Sequence, residues 1–246
     1  MAIFKDYSER IDYLKRISSF HFEPFRREEL RFDILGHFEG ADWLSEVKAL
    51  EAEATGGAKF GFSHCVAAAG AKHKPNQQFD LNLSEERSYN DEHVFLNRIK
   101  APLLSREKAP LIFKMIDWFG LQEGSVDPRI HIQHPGQVFP VHVDGLMKQR
   151  KDDDVSLAMK QRPEDWVRMQ VQLQDWVWGH VWALGNGYWS QWRAGEIMYF
   201  KWWEVPHATA NCSFAPRYSL QVTGLATALT RERLKERGVR LNLKGL

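Results

Sequence analysis

The sequence predicts a mainly β protein with a jelly-roll core, in which two β-sheets face each other, and a layer of helices before it. Near Arg129 the spacing of apolar residues changes from the helical period of about 3.6 to the strand period of about 2. From there, about eight short segments alternate apolar and polar side chains, separated by turn residues such as Pro135, Gly136 and Gly185. Short strands at this spacing are typical of a double-sheet barrel or jelly roll.

The region before the barrel is predicted to be mostly helical. Apolar residues at helical spacing predict one helix over residues 4–18 and a second over residues 42–54. Residues 19–38 are aromatic and charged and contain a proline, so irregular structure is expected there. A third helix is predicted over residues 105–119, with Ser105 as its N-cap.

The chain is interpreted as one domain, because no linker or internal repeat divides it. Residues 1–125 are the helical support region, residues 126–226 the β-barrel core, and residues 227–246 a C-terminal helix and tail, with the helix over 230–237. The predicted strands of the core cover residues 129–134, 138–143, 167–178, 188–192, 196–203, 208–214 and 218–225.

The composition excludes several functional classes. Lysine and arginine total 33 against 32 acidic residues, so the chain lacks the excess of positive charge expected of a general nucleic-acid binder. Its two cysteines are far apart, which argues against a disulfide framework and favours the reducing cytoplasm. The N-terminus does not resemble a signal peptide, and no apolar run approaches the roughly 20 residues that span a bilayer.

The chain contains 10 tryptophans, and seven of them lie between Trp176 and Trp203. Tryptophan packs well in a broad apolar core, provided that its N–H finds a polar partner. The segment therefore favours a β-core lined with large side chains. An aromatic substrate pocket or a sugar-stacking surface is the alternative.

Three residues of the barrel, His142, Asp144 and His207, have the chemistry of a metal site. His142 and Asp144 are separated by one residue, so on a strand their side chains share a face. His207 lies on a later strand, which antiparallel pairing can return beside them. Two imidazoles and one carboxylate are the ligand set of non-haem Fe(II) oxygenases. Zn²⁺ is a competing metal, although structural zinc prefers four ligands with cysteine or more histidine.

Arg217 follows the last of these histidines in the sequence and is suited to binding a carboxylate. A guanidinium holds a carboxylate through two parallel hydrogen bonds, which lysine does not do. A co-substrate with two carboxyl ends needs one end on the metal and the other on a fixed cation. Ser219 shares the strand face of Arg217 and is predicted to donate a third hydrogen bond.

With these elements the chain resembles the 2-oxoglutarate-dependent Fe(II) oxygenase superfamily, and within it the aspartyl/asparaginyl β-hydroxylase-like branch. The matching pieces cover about 95 residues and lie within the β-rich part. They are Arg129 followed by His-Pro135-Gly136 and His142-Val-Asp144, and then His207 through Asn211 to Arg217-Tyr-Ser219.

The resemblance implies a double-stranded β-helix of the cupin-like, jelly-roll type. It further implies that His142, Asp144 and His207 bind Fe(II), and that Arg217 and Ser219 bind the distal carboxylate of 2-oxoglutarate. The implied reaction uses O2, converts 2-oxoglutarate to succinate and CO2, and hydroxylates an unactivated C–H bond. Because Asp144 is an acid rather than the small residue of the halogenase variants, hydroxylation is expected.

Other polar residues are weaker candidates. His131 and Gln133 share a strand face and are candidates for contact with the co-substrate, with an ordinary barrel-facing pair as the alternative. Asn211 shares the face of His207 and is a candidate for orienting a ligand. The candidates for contact with the substrate are Trp176, His180, Trp182 and Arg150.

Gln170, Gln172 and Gln174 alternate with apolar residues, and solvation or helix contact is expected for two of the three. The charged segment 145–166 follows Asp144 directly, so it is a candidate lid over the metal. A solvated loop is the alternative for this segment.

The main functional hypothesis is a hydroxylase acting on a small molecule, such as an amino acid or its derivative. A peptide or protein side chain is the alternative substrate. A non-catalytic jelly-roll binding module and a cupin-type metalloenzyme without 2-oxoglutarate are the alternatives from other classes. Neither nucleic acid nor a membrane is expected as a partner, and the sequence leaves the oligomeric state open.

Overall fold

A computed structural model describes the protein over residues 31–55, 97–143 and 162–244, and at Asp12 and Arg16. These ranges contain three helices, α1 (Trp43–Thr55), α2 (Pro110–Trp118) and α3 (Ala228–Arg233). The strands are β1 (Phe32–Glu39), β2 (Asn97–Ile99), β3 (Asp127–Gln133), β4 (Val138–His142), β5 (Trp166–Gln172), β6 (His180–Leu184), β7 (Gly187–Trp189), β8 (Glu196–Phe200), β9 (His207–Asn211), β10 (Arg217–Leu225) and β11 (Val239–Asn242).

The eight strands from β3 to β10 form two facing sheets. The large sheet has the order β11-β1-β8-β5-β10-β3-β2, and the small sheet has the order β4-β9-β6-β7. Successive core strands therefore alternate between the sheets, except for the β6–β7 hairpin. This alternation with antiparallel pairing is a double-stranded β-helix, or jelly roll, so the predicted fold class is confirmed.

Three further strands, β1, β2 and β11, widen the large sheet, and none of them was expected from the sequence. Irregular structure was predicted through residue 38, which is wrong, because β1 pairs with β8 and β11. A bulge between Ile34 and Gly36 interrupts the alternation of β1, so the period of 2 is hidden in the sequence. Gly36 also lets β11 approach, since a Cβ there would lie 2.1 Å from the carbonyl oxygen of Val239.

Helices α1 and α2 cover the outer face of the large sheet. Their buried residues, such as Trp43 and Met115, belong to one apolar cluster with Ile130 and Leu220 of the sheet. Helix α1 lies within one residue of its prediction, but α2 begins later than predicted, at Pro110. Its N-cap is Ala109 rather than Ser105, because Ser105 belongs to the preceding turn.

Glu46 of α1 takes the role of the missing N-cap side chain of α2. Its carboxylate accepts hydrogen bonds from the backbone N–H groups of Leu111, at 3.0 Å, and Ile112, at 3.2 Å. A carboxylate at a helix N-terminus satisfies free N–H groups and interacts favourably with the helix dipole. This contact therefore joins the two helices to each other.

The tryptophan-rich segment packs between the two sheets, on the side formed by β6, β7 and β8. The prediction of a β-core lined with large side chains is confirmed for this cluster, whereas Trp178 is exposed. The buried members of the cluster are Trp166, Trp182, Leu184, Trp189, Trp192, Met198, Phe200, Trp202 and Val205.

At the C-terminus, helix α3 begins before the predicted start and is capped by Thr227, whose side chain accepts a hydrogen bond from the Thr230 N–H. The helix predicted over 4–18 lies outside the described residues apart from Asp12 and Arg16, both of which are helical. Among the helices of the described residues, none is long and apolar enough to cross a membrane.

Candidate active site

Two of the three predicted metal ligands meet at one end of the barrel. His142 ends β4 and His207 begins β9, and the two residues are direct partners across the antiparallel pair. Their ring centroids are 4.2 Å apart. The end of the barrel that carries this pair is called the histidine end below.

The hydrogen bond of His207 sets its tautomer. Its Nδ1 lies 3.0 Å from the carbonyl oxygen of Val205, which can only accept, so Nδ1 carries the hydrogen. The lone pair is then on Nε2, the form in which a neutral imidazole binds a metal. Phe200 packs against the same ring with centroids 4.9 Å apart, which restricts its orientation.

Asp144 and the candidate lid up to residue 161 lie outside the described residues, as does Arg150. The described part of the chain therefore contains no group of three metal-ligating side chains. The paired imidazoles, one with its tautomer fixed by a carbonyl, fit two positions of an Fe(II) site. Asp144 as the third ligand stays a prediction from its spacing to His142.

Arg217 begins β10 at the other end of the barrel, which is called the arginine end. Its side chain is 2% exposed, and Nε and Nη1 find no hydrogen-bond partner among the described residues. Burial lowers the pKa of the guanidinium to about 9. Its central carbon lies 5.0 Å from the ring centroid of Trp182, which belongs to the opposite sheet. A buried guanidinium with N–H groups that lack a partner among the described residues is suited to binding an anion.

The two ends of the candidate site are connected through the small sheet. Trp182 pairs with Thr209, which is two residues along β9 from His207 on the same face. Two strand residues span roughly 7 Å, so the row of Trp182, whose ring contacts the Arg217 guanidinium, lies about that far along the barrel from the histidine pair. A short diacid can bridge a metal at the histidines and the guanidinium.

Ser219 and His131 lie one row further into the barrel from Arg217. They are cross-strand partners, and Ser219 is buried with its side chain on the face of Arg217. His131 Nε2 is buried without a hydrogen-bond partner among the described residues. Its pKa is lowered well below the usual value, first by burial and then by four arginines that include Arg98 and Arg217. His131 is therefore a neutral side chain that faces the site.

Gln133 and Asn211 hold the arginine end together. Gln133 Nε2 donates to Thr209 Oγ1 at 3.2 Å, which joins the two sheets. Asn211 Nδ2 donates to the carbonyl oxygens of Gln133 and Ala215, and its Oδ1 accepts from the Ser213 hydroxyl. These contacts favour a role for Asn211 in positioning the loop before Arg217.

Gln170 and Gln172 differ from the sequence expectation. Both are buried on the inner face of the large sheet, where Gln172 pairs with Ser219 and Gln170 with Gln221. The expected solvation is therefore wrong for these two residues, whereas Gln174 is half-buried and donates to the Pro216 carbonyl. The alternation was visible in the sequence, but the direction of its polar face was not.

The predicted substrate contacts are spread over the barrel. Trp182 lies inside it against Arg217, whereas His180 lies at the arginine end, opposite Asn211. The His180 ring bonds the Ala215 carbonyl at 3.1 Å and stacks on Trp192, and mainly burial lowers its pKa to about 4. Trp176 is half-buried and donates to the His180 carbonyl. This placement favours structural roles for Trp176 and His180, while their contact with a substrate stays a prediction.

No family model and no curated protein matches the chain. Among solved structures it is similar to the non-haem alpha ketoglutarate dependent epimerase SnoN from nogalamycin biosynthesis, with 12% identity, a TM-score of 0.46, and coverage of 87% of this chain and 81% of that one. The chain is also similar to a Pseudomonas putida prolyl-4-hydroxylase, with 16% identity and a TM-score of 0.39. This match covers 80% of this chain and 94% of that one. The chain is also similar to the viral collagen prolyl hydroxylase of Paramecium Bursaria Chlorella virus-1, with 14% identity and a TM-score of 0.38. This match covers 54% of this chain and 80% of that one. At these scores the similarities carry no argument about chemistry, and the fold assignment rests on the strand pairing.

Proposed function

We propose that this protein is an Fe(II)- and 2-oxoglutarate-dependent dioxygenase that hydroxylates an unactivated C–H bond. The observation that carries the proposal is the buried Arg217, whose Nε and Nη1 have no partner among the described residues. A buried charge is costly unless it is paired, so the guanidinium is expected to have an anionic ligand. A separation of roughly 7 Å along the barrel, from the histidine pair to the row of Trp182, suits a five-carbon diacid.

In this proposal His142, His207 and Asp144 hold the metal. Bound iron would supply the activation of O2 that is coupled to oxidative decarboxylation of 2-oxoglutarate. Arg217 and Ser219 hold the distal carboxylate and so fix the direction of the co-substrate in the barrel. The carbonyl of Val205 accepts the hydrogen of His207 Nδ1 and so leaves Nε2 as the ring nitrogen for the metal.

The proposed prime substrate is a small molecule, such as an amino acid or its derivative. A peptide or protein side chain is the alternative, since the sequence resembles the aspartyl/asparaginyl β-hydroxylase-like branch. Release of succinate in the presence of candidate substrates separates the two.

The test of the proposed function is anaerobic addition of Fe(II), and then 2-oxoglutarate, to metal-free protein. The expected result is a weak visible charge-transfer band in the wild type that is lost in Arg217→Ala and kept in the exposed control Arg193→Ala. Iron binding without a band would favour the cupin-type metalloenzyme. A protein that binds no metal would favour the non-catalytic binding module.

A further inference from the structure

Gln172 is a fully buried glutamine at the end of β5, with 0% of its surface exposed. It is the cross-strand partner of Ser219, so the two side chains lie on the same inner face of the large sheet. Ser219 is two residues from Arg217 along β10, and the three side chains therefore share one corner of that face.

Neither amide atom of Gln172 has a hydrogen-bond partner among the described residues. Leaving a buried amide without partners costs free energy, so such groups are rare in native proteins. The Nε and Nη1 atoms of Arg217 likewise have no hydrogen-bond partner among the described residues. Two adjacent residues with unsatisfied donors indicate a ligand that accepts hydrogen bonds from both.

We propose that Gln172 is a third binding residue for the distal carboxylate, beside Arg217 and Ser219. This inference rests on the proposed function, which supplies the diacid. A carboxylate has about four lone-pair sites on its two oxygens. The Arg217 guanidinium, the Ser219 hydroxyl and the Gln172 amide N–H are all donors at this corner, so together they offer a carboxylate hydrogen bonds from three side chains.

Gln170 does not serve equally well, although it lies on the same strand face. Its Nε2 already donates to Gln221 Oε1 at 3.0 Å, and it lies one row further from Arg217. A neutral amide also suits this position better than a second cation would. It adds a donor without adding another buried charge beside a guanidinium whose pKa is already lowered by burial.

The test compares two ligands in Gln172→Leu, Gln172→Glu and the exposed control Gln122→Leu. Oxalate chelates the metal but has no distal carboxylate, so it reports on the metal end alone. Anaerobic titration of the Fe(II) protein measures both dissociation constants. Loss of a hydrogen bond to a charged group is expected to weaken 2-oxoglutarate binding about tenfold or more in Gln172→Leu. Like-charge repulsion is expected to weaken it further in Gln172→Glu.

Oxalate binding is expected to be unchanged in both Gln172 variants. The melting temperature of ligand-free Gln172→Leu is expected to equal or exceed that of the wild type, because leucine removes an unsatisfied buried amide. If leucine nevertheless impairs folding, Gln172→Met removes the same donor with a flexible side chain of similar length.

Unchanged 2-oxoglutarate affinity in the folded Gln172 variants would overturn the inference, and so would an equal loss of oxalate and 2-oxoglutarate affinity. Failure of the proposed function looks different. In that case the wild-type protein itself would not bind 2-oxoglutarate, whatever residue occupies position 172.

Discussion

Arg217 and Trp182 belong to opposite sheets, and the guanidinium carbon of Arg217 lies 5.0 Å from the centre of the Trp182 ring. The ring gives the buried cation a favourable electrostatic contact but no hydrogen-bond acceptor in its plane. Arg217 Nε and Nη1 have no hydrogen-bond partner among the described residues, which agrees with the proposed binding of a carboxylate.

Replacing Arg217 with alanine is expected to weaken 2-oxoglutarate binding by about 2–5 kcal/mol, because a buried, hydrogen-bonded charge pair loses one partner. Arg217→Lys keeps a charge but loses the planar pair of donors, so only partial recovery is expected. Anaerobic titration measures both effects. Wild-type affinity in Arg217→Ala would show that the co-substrate binds elsewhere.

Trp182→Phe tests the contribution of the ring beneath the guanidinium. Phenylalanine keeps an aromatic face but has a weaker cation–π interaction, so a loss of about 0.5–1 kcal/mol in 2-oxoglutarate binding is expected. Trp192→Phe is the matched control, since Trp192 is buried in the same cluster but stacks on His180. Equal effects of the two substitutions on the dissociation constant would contradict a specific role for Trp182.

His142→Ala and His207→Ala are each expected to abolish stoichiometric Fe(II) binding, measured by metal analysis after desalting. Under the proposed function, each substitution removes one of the three protein ligands of the metal. Cys212→Ala is the control, because Cys212 is exposed and lies beyond the end of β9. If Cys212→Ala also lost the metal, a thiolate-containing zinc site would replace the iron assignment.

Glu46→Ala is expected to destabilise the fold by about 1 kcal/mol, because α2 has no other side-chain cap. Urea unfolding monitored by tryptophan fluorescence measures the free energy of unfolding. Glu123→Ala, which removes an exposed carboxylate, should leave it within about 0.5 kcal/mol of the wild type.

The depressed pKa of His180 predicts a loss of stability in acid. Its pKa is about 4 in the folded protein and 6.5 in the reference state, so the unfolded chain binds more protons between these values. The free energy of unfolding should therefore fall as the pH is lowered from about 6.5 towards 4. His180→Gln keeps a donor for the Ala215 carbonyl but does not titrate. A smaller fall between pH 7 and pH 5 is expected in this variant, and an identical fall would exclude His180 as a contributor.

Much of the barrel was predictable because its signals are local. The alternation after Arg129 predicted most core strands, and the spacing of Arg217 and Ser219 predicted that their side chains would share a face. Strand β1 was missed because its bulge at Gly36 breaks the alternation. Strand β11 was missed because Val239–Asn242 spans only four residues and pairs with a strand at the other end of the chain.

The direction in which the polar face of β5 points could not be predicted from the sequence. Alternation around Gln172 shows that the two faces of β5 differ, but it does not show which face meets water. In this barrel helices cover the apolar face and a second sheet covers the polar one. The orientation of Gln172 therefore depends on long-range packing.

Backbone hydrogen bonds join the turns at the arginine end of the barrel. The Gly136 N–H donates to the Asn211 carbonyl at 2.7 Å, and the Cys212 N–H donates to the Gly179 carbonyl at 2.8 Å. Under the proposed function, we expect a diacid to reach Arg217 from the histidine end, past the position at which the prime substrate would be oxidised. Whichever molecule arrives second blocks the exit of the first. Steady-state kinetics should therefore show a compulsory order, with 2-oxoglutarate binding before the prime substrate and succinate leaving after the product.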